Sequence, residues 1–136
     1  MTLTPLQQDI LSAKVCPYCK SRTKVVSEEF IYGKTYRNRS MICCDNYPQC
    51  DSYVGTHDDG EPLGRLADKK LRQWKRKAHD AFDRIWKEKH MERNAAYEEM
   101  ADAIGIPDKF CHIGMFQVKT CIKVVAWAKL KYAELI

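Results

Sequence analysis

The chain has 136 residues, 45% of them hydrophobic, which supplies enough apolar material for a folded core and argues against general disorder. No apolar run approaches the length of a membrane span, and the polar start from Met1 to Asp9 has neither the basic nor the apolar stretch of a signal peptide, so a reducing interior is expected. The net charge of +5 is uneven: residues 1–62 carry seven Lys/Arg against eight Asp/Glu, and residues 63–136 carry sixteen against ten.

Seven cysteines in a reducing compartment are better explained by metal ligation and buried thiols than by disulfides. Cys16-Pro-Tyr-Cys19 and, about one hairpin later, Cys44-x₅-Cys50 can place four thiolates around one tetrahedral Zn²⁺. Adjacent strand residues point to opposite faces, so only one of Cys43 and Cys44 can aim at such an ion. Four thiolates close the coordination sphere and leave no position for water activation, so the role of the metal is structural. His57 reads as a solvated loop residue.

In chain order, Thr4-Pro5 starts a helical turn through Leu6, Ile10 and Leu11, expected to tuck against the rest. After the first cysteine pair, Thr23 to Phe30 is β-prone, Tyr32-Gly33-Lys34 is a turn, and Thr35 to Cys44 alternates as a returning strand. Ser52 to Gly55 adds a third short strand. Asp58-Asp59-Gly60-Glu61-Pro62 reads as a linker, dividing a ribbon domain of residues 1–62 from a helical domain of residues 63–136.

Beyond it the period changes to 3.6. A helix is expected from Ala67 to about Lys89, with Leu71, Trp74, Ala78, Phe82 and Ile85 as its apolar stripe. A second runs from Glu92 to Ile104, with Ala96, Met100 and Ala103 or Ile104 inward and Gly105 as its stop. Asp108 to Phe116 connects to a third, Gln117 to Leu135, whose inward stripe is Val118, Cys121, Ile122, Val125, Ala128 and Tyr132. Trp127 and Leu130 lie opposite that stripe. Either this helix is buried nearly all round, the expectation adopted for so small a unit, or it displays an apolar contact patch. The fold class is therefore α+β, a small four-cysteine zinc ribbon followed by three helices.

The residues CPYC, YGKTYRNRSMICC and CDNYPQC followed by an aromatic resemble the C-terminal zinc ribbons of bacterial type IA topoisomerases. That resemblance covers roughly residues 15–55. It implies Cys16, Cys19, Cys44 and Cys50 as the ligands, a zinc-dependent fold and single-strand DNA binding. It does not imply topoisomerase activity, since 136 residues cannot hold a cleavage domain. PLGRLADKKLRQWKRKAHDAFDRIWK, then AYEEMADAIGIP, then CHIGMF resemble a zinc-finger-containing family of bacteriophages and mobile elements, from Cys16 to about Ala126. This implies the same ribbon-then-helices layout and, as setting, the cytoplasm of a bacterial host cell.

Three readings of function follow. The first is a non-enzymatic protein that binds single-stranded or opened nucleic acid. Tyr36 and Tyr47, with Tyr32 and Tyr53, would stack on bases while Lys34, Arg37 and Arg39 meet phosphates, and Lys69, Arg72 and Arg76, from a stretch with seven basic residues between Gly64 and Lys77, would add further phosphate contacts. The second is a regulator or inhibitor that docks on a host protein machine, RNA polymerase or a defence complex, through Trp127, Leu130 and the ribbon aromatics. The third is a nuclease using His79 and Asp83, four apart on one helix face, although a metal-binding carboxylate pair is not visible. Cys111, His112 and Cys121 lack a fourth ligand, so they read as buried thiols and a connector histidine.

Overall fold

The computed structural model describes residues 3–106 and 113–136; the connector residues Cys111 and His112 therefore lie outside the described residues. The described chain forms two compact units, residues 1–69 and 70–136.

The first unit opens with α1 (Pro5–Leu11). Thr4 and Gln7 close a reciprocal capping box, and Pro5 stands at the first helical position. The expected tuck is not found: α1 buries no residue and Leu6 stays exposed. Three strands follow, β1 (Thr23–Ser27), β2 (Ser40–Cys44) and β3 (Tyr53–Gly55), in the order β1-β2-β3 and all antiparallel. The register places Thr23 against Cys44 and Cys43 against Tyr53. As the central strand, β2 is covered on both faces, so Met41, Ile42, Cys43 and Cys44 are all buried in succession.

Both hairpin strands are shorter than the sequence suggests. Ser27 ends β1 by capping α2 (Glu28–Tyr32), its hydroxyl accepting from the Phe30 N–H. Glu28 and Glu29 sit in the positive first turn, and Gly33 closes the helix at φ 78°. The buried Glu28 carboxylate then accepts the backbone N–H groups of Tyr36, Arg37 and Arg39 at 3.0, 3.1 and 2.6 Å. Those donors would have built the ladder had residues 35–39 been strand; instead the segment wraps around one side chain.

The core of this unit is small: Ala13, Cys16, Ile42, Cys44 and Leu66, with Cys50 and Val54 against it. Leu66 arrives from beyond Asp58–Pro62, a turn closed by the Thr56–Pro62 bridge, and a second bridge joins Tyr53 to Ala67. The Asp68 N–H donates to the Tyr18 hydroxyl. Residues 63–69 accordingly belong with the sheet.

In the second unit α3 (Lys69–Lys87) buries Leu71, Ala78, Ala81, Phe82 and Ile85, with Trp74 half-buried. Residues Ala96, Met100 and Ala101 are the buried ones of α4 (Arg93–Ile104), which Gly105 ends at φ 74°. A 3₁₀ turn, Ile113–Met115, leads into α5 (Val118–Leu135). Phe82 is fully enclosed, its ring 4.7 Å from Tyr97 and 6.3 Å from Trp127. The inward face of α5 is Cys121, Val124 and Ala128. Ile122, expected inside, is 45% exposed, and Leu130 is 70% exposed, so α5 is buried on one side and not all round. A rotation of the helix by less than one residue's turn decides which of Ile122 and Val124 faces the core. No helix among the described residues is long and apolar enough to cross a membrane.

The Glu28 contacts hold its carboxyl below the usual carboxylate range, the Arg39 N–H being the largest cause. A group whose pKa is depressed on folding contributes stability above its unfolded pKa and loses it as the pH falls through the folded value. Glu28→Gln is therefore expected to lower the melting point at pH 7 and to speed amide exchange at Tyr36, Arg37 and Arg39. Its difference from wild type should shrink as the pH falls below the ordinary carboxylate value of about 4.3. A difference that stays constant across that range would contradict this role.

Candidate metal centre

Cys16 and Cys19 flank a knuckle in which the Lys20 N–H returns to the Cys16 carbonyl and the Cys16 N–H to the Ser21 carbonyl. Cys44 ends β2, and the turn from Asp45 to Gln49, which includes a cis Tyr47–Pro48 peptide, brings Cys50 back beside it. All four sulfurs lie within 4.8 Å of one another. Cys16 and Cys50 are 3.7 Å apart and Cys19 and Cys44 3.4 Å. Four sulfurs at the usual Zn–S distance of about 2.3 Å stand about 3.8 Å from each other on a tetrahedron, so the donor set fits zinc without rearrangement.

The surroundings are arranged for thiolate charge. The backbone N–H of Asn46 points at the Cys44 sulfur at 3.4 Å, and its side-chain amide reaches the Cys19 sulfur at 3.6 Å and the Ser21 hydroxyl at 2.8 Å. The fully buried Ser52 hydroxyl lies 3.3 Å from the Cys16 sulfur and 3.6 Å from that of Cys50. Hydrogen bonds from Ser21 come first among the causes that lower the Cys19 thiol to about 6, while burial pushes Cys44 and Cys50 up.

Cys43 is fully buried and takes no part in the cluster; burial raises its thiol, as it raises Cys121 to about 11. His57 is an exposed loop residue outside the cluster. A family model for a zinc-finger-containing domain matches residues 12–131. The chain belongs to that family. No curated protein and no solved structure matches it. The zinc-finger-containing domain holds one structural Zn²⁺, which the four-cysteine cluster suits and which a closed thiolate sphere keeps from water chemistry.

The other sequence-selected residues are placed as follows. Tyr36 and Tyr47 join Phe30, Tyr32 and Tyr53 in an unbroken row of ring contacts at 5.4–6.1 Å. Lys34 lies over the Tyr36 ring and Lys24 over Phe30. Arg37 is exposed; Arg39 is ion-paired with Asp58. Lys69, Arg72 and Arg76 fall at i, i+3 and i+7 on α3. His79 meets Asp83 at 3.3 Å, and Asp83 also accepts from the Trp86 indole at 3.3 Å. Trp127 is half-buried against Phe82, whereas Leu130 projects outward. Sequence reasoning missed Asn46 and Ser52 around the sulfurs, and Phe30 and Lys24 in the ring row. Asn46 within CDNYPQC and Ser52 two places after Cys50 were the available signals.

One zinc per chain is expected by native mass spectrometry. Cys44→Ser should lose it, while Cys43→Ser should keep it. Ser52→Ala should weaken zinc binding about 10–100-fold, as loss of a residue orienting the ligands does, read by competition with a chromogenic chelator. Zinc retained in Cys44→Ser, or lost in Cys43→Ser, would reassign the ligand.

Proposed function

We propose that the ribbon of this zinc-finger-containing domain binds single-stranded or locally opened nucleic acid, single-stranded DNA in the first place. The observation that carries this reading is the ring row. Tyr36 is 62% exposed, Phe30 51% and Tyr32 45%, so these rings are not there to cover the metal. Exposed aromatic faces with lysines beside them are the combination that stacks unpaired bases and meets their phosphates, whatever the sequence. Lys34 and Arg37 are the nearest phosphate partners, with Tyr47 as a further platform. Arg39, already paired with Asp58, serves chiefly to order its loop. On α3, Lys69, Arg72 and Arg76 supply further sequence-independent phosphate contacts. The setting that suits this activity is a phage or mobile element acting inside a bacterial cell, where transient single strands are common.

A second reading rests on Leu130. It lines, with Trp127, Ala103, Asp102 and Lys131, a shallow depression between α4 and α5, where Lys131 pairs with Glu99 and Glu134. An exposed leucine beside a half-buried tryptophan suits an apolar contact with a host machine such as RNA polymerase or a defence complex.

Titration of a labelled oligothymidylate decides the first reading. Binding should weaken steeply with salt, Tyr36→Ala should cost about 1–3 kcal/mol, and Arg37→Ala should reduce the salt slope by about 0.7. No binding at low salt would overturn it. In that event, a single host protein retained after nuclease treatment, and lost with Leu130→Asp, would establish the second.

A further inference from the structure

The second unit carries a cleft, separate from the ring row of the ribbon, whose lining calls for an anion. It is an open groove of about 470 Å³ between α3 and α5. Three cations line it, Lys77 and Arg84 from α3 and Lys129 from α5, against the single acid Asp80. Trp74 and Val125 form its apolar part.

Arg84 is the most informative of these residues. Its guanidinium lies on the Tyr132 ring, 3.6 Å from the centroid, and the Tyr132 hydroxyl donates to Glu88 at 2.6 Å. Stacking of that kind fixes a guanidinium plane before any ligand arrives. Yet its Nε is buried and has no hydrogen-bond partner. That atom lies out of reach of a ligand in the cleft, so an anion there would be met by the rest of the guanidinium, which the stack holds in place. Across from it, the Lys77 ammonium rests over the Trp74 ring at 4.5 Å, a placement that keeps the charge ordered at the edge of an aromatic surface.

We propose that this cleft is a phosphate site, taking the phosphate of a nucleotide, either free or within a strand, on Arg84, Lys77 and Lys129. Phosphate matches the planar fork of Arg84 and the point charges of two lysines better than a carboxylate does, because it presents more acceptor oxygens and more charge. Trp74 offers the adjoining base an apolar surface, and Asp80 can accept from a sugar hydroxyl or a base amine. The site does not depend on the ribbon reading, since no ribbon residue lines it.

Trp74 is a built-in reporter, because a ligand that draws Lys77 away must change its emission. The zinc-loaded full chain would be titrated with inorganic pyrophosphate, with ATP and with a short single-stranded oligonucleotide. The oligonucleotide arm would use a Tyr36→Ala background, so that binding at the ribbon is separated from binding at the cleft. A saturable change is expected that disappears in Trp74→Phe. It should weaken about tenfold or more in Lys129→Glu, the loss that follows removal of one charge-assisted hydrogen bond. Lys129 is exposed, so its replacement leaves the core intact. A response to pyrophosphate and ATP assigns the site to free nucleotides; a response to the oligonucleotide alone assigns it to a strand. Silence toward all three probes, or curves unchanged in Lys129→Glu, would overturn the proposal and leave the ribbon reading untouched.

Discussion

Sulfur coordination of one zinc ion is the constraint from which the first unit is built. Among the described residues its buried apolar side chains are Ala13, Cys16, Met41, Ile42, Cys43, Cys44, Leu66 and Ala67, and two of these eight, Cys16 and Cys44, are themselves ligands. So little apolar burial cannot offset the ordering of nearly seventy residues. Metal binding supplies the remainder, because a site absent from the unfolded chain converts its binding free energy into folding free energy. The buried Ser52 hydroxyl and the Asn46 amide belong to the same economy of parts: each orders a loop by satisfying a sulfur.

The exposed ring row follows from that constraint. In an ordinary small domain Phe30, Tyr32 and Tyr36 would be drawn inward, since aromatic burial is among the largest favourable terms available. Here the sheet is already held at its Cys44 end by the ion and by the Tyr53–Ala67 bridge, and beyond Gly55 by the Thr56–Pro62 bridge. The rings can then remain on the surface in edge-on contact with one another, ordered without being enclosed. Glu28 completes the arrangement by taking three backbone donors from the loop that carries Tyr36 and Arg37. Metal, carboxylate and rings thus form one chain of dependence, from the sulfur cluster to the surface that would meet a ligand.

Much of this was legible in the sequence because the deciding signals are local. Ligand spacing gives the ribbon, the 3.6 period gives the helices, and Gly105 marks the end of α4 through its positive φ. What was not legible depends on contacts between distant positions. Nothing near Glu28 announces that its carboxylate will take N–H groups eight to eleven residues later, so residues 35–39 read as strand. The preference for Val124 over Ile122 rests on how α5 is rotated against its neighbours, which two adjacent apolar stretches leave undetermined.

Charge shows the same distinction between what composition reports and what geometry decides. Two modes of restraint stand out among the basic side chains. Arg39 and Lys131 are tied to Asp58 and Glu99, where their charge serves the fold. Lys24, Lys34, Lys77, Arg84 and Arg93 instead rest over aromatic rings. A carboxylate partner neutralises a cation and competes with any incoming anion. An aromatic face restrains the cation yet leaves its donors available, because the ring quadrupole attracts without accepting a full charge. Cations held in this second way lose less freedom on meeting a phosphate than a solvated lysine does, and an aromatic surface lies beside them for the attached base. That pairing recurs in both units, in the ribbon at Tyr36 and in the helices at Trp74 and Tyr132.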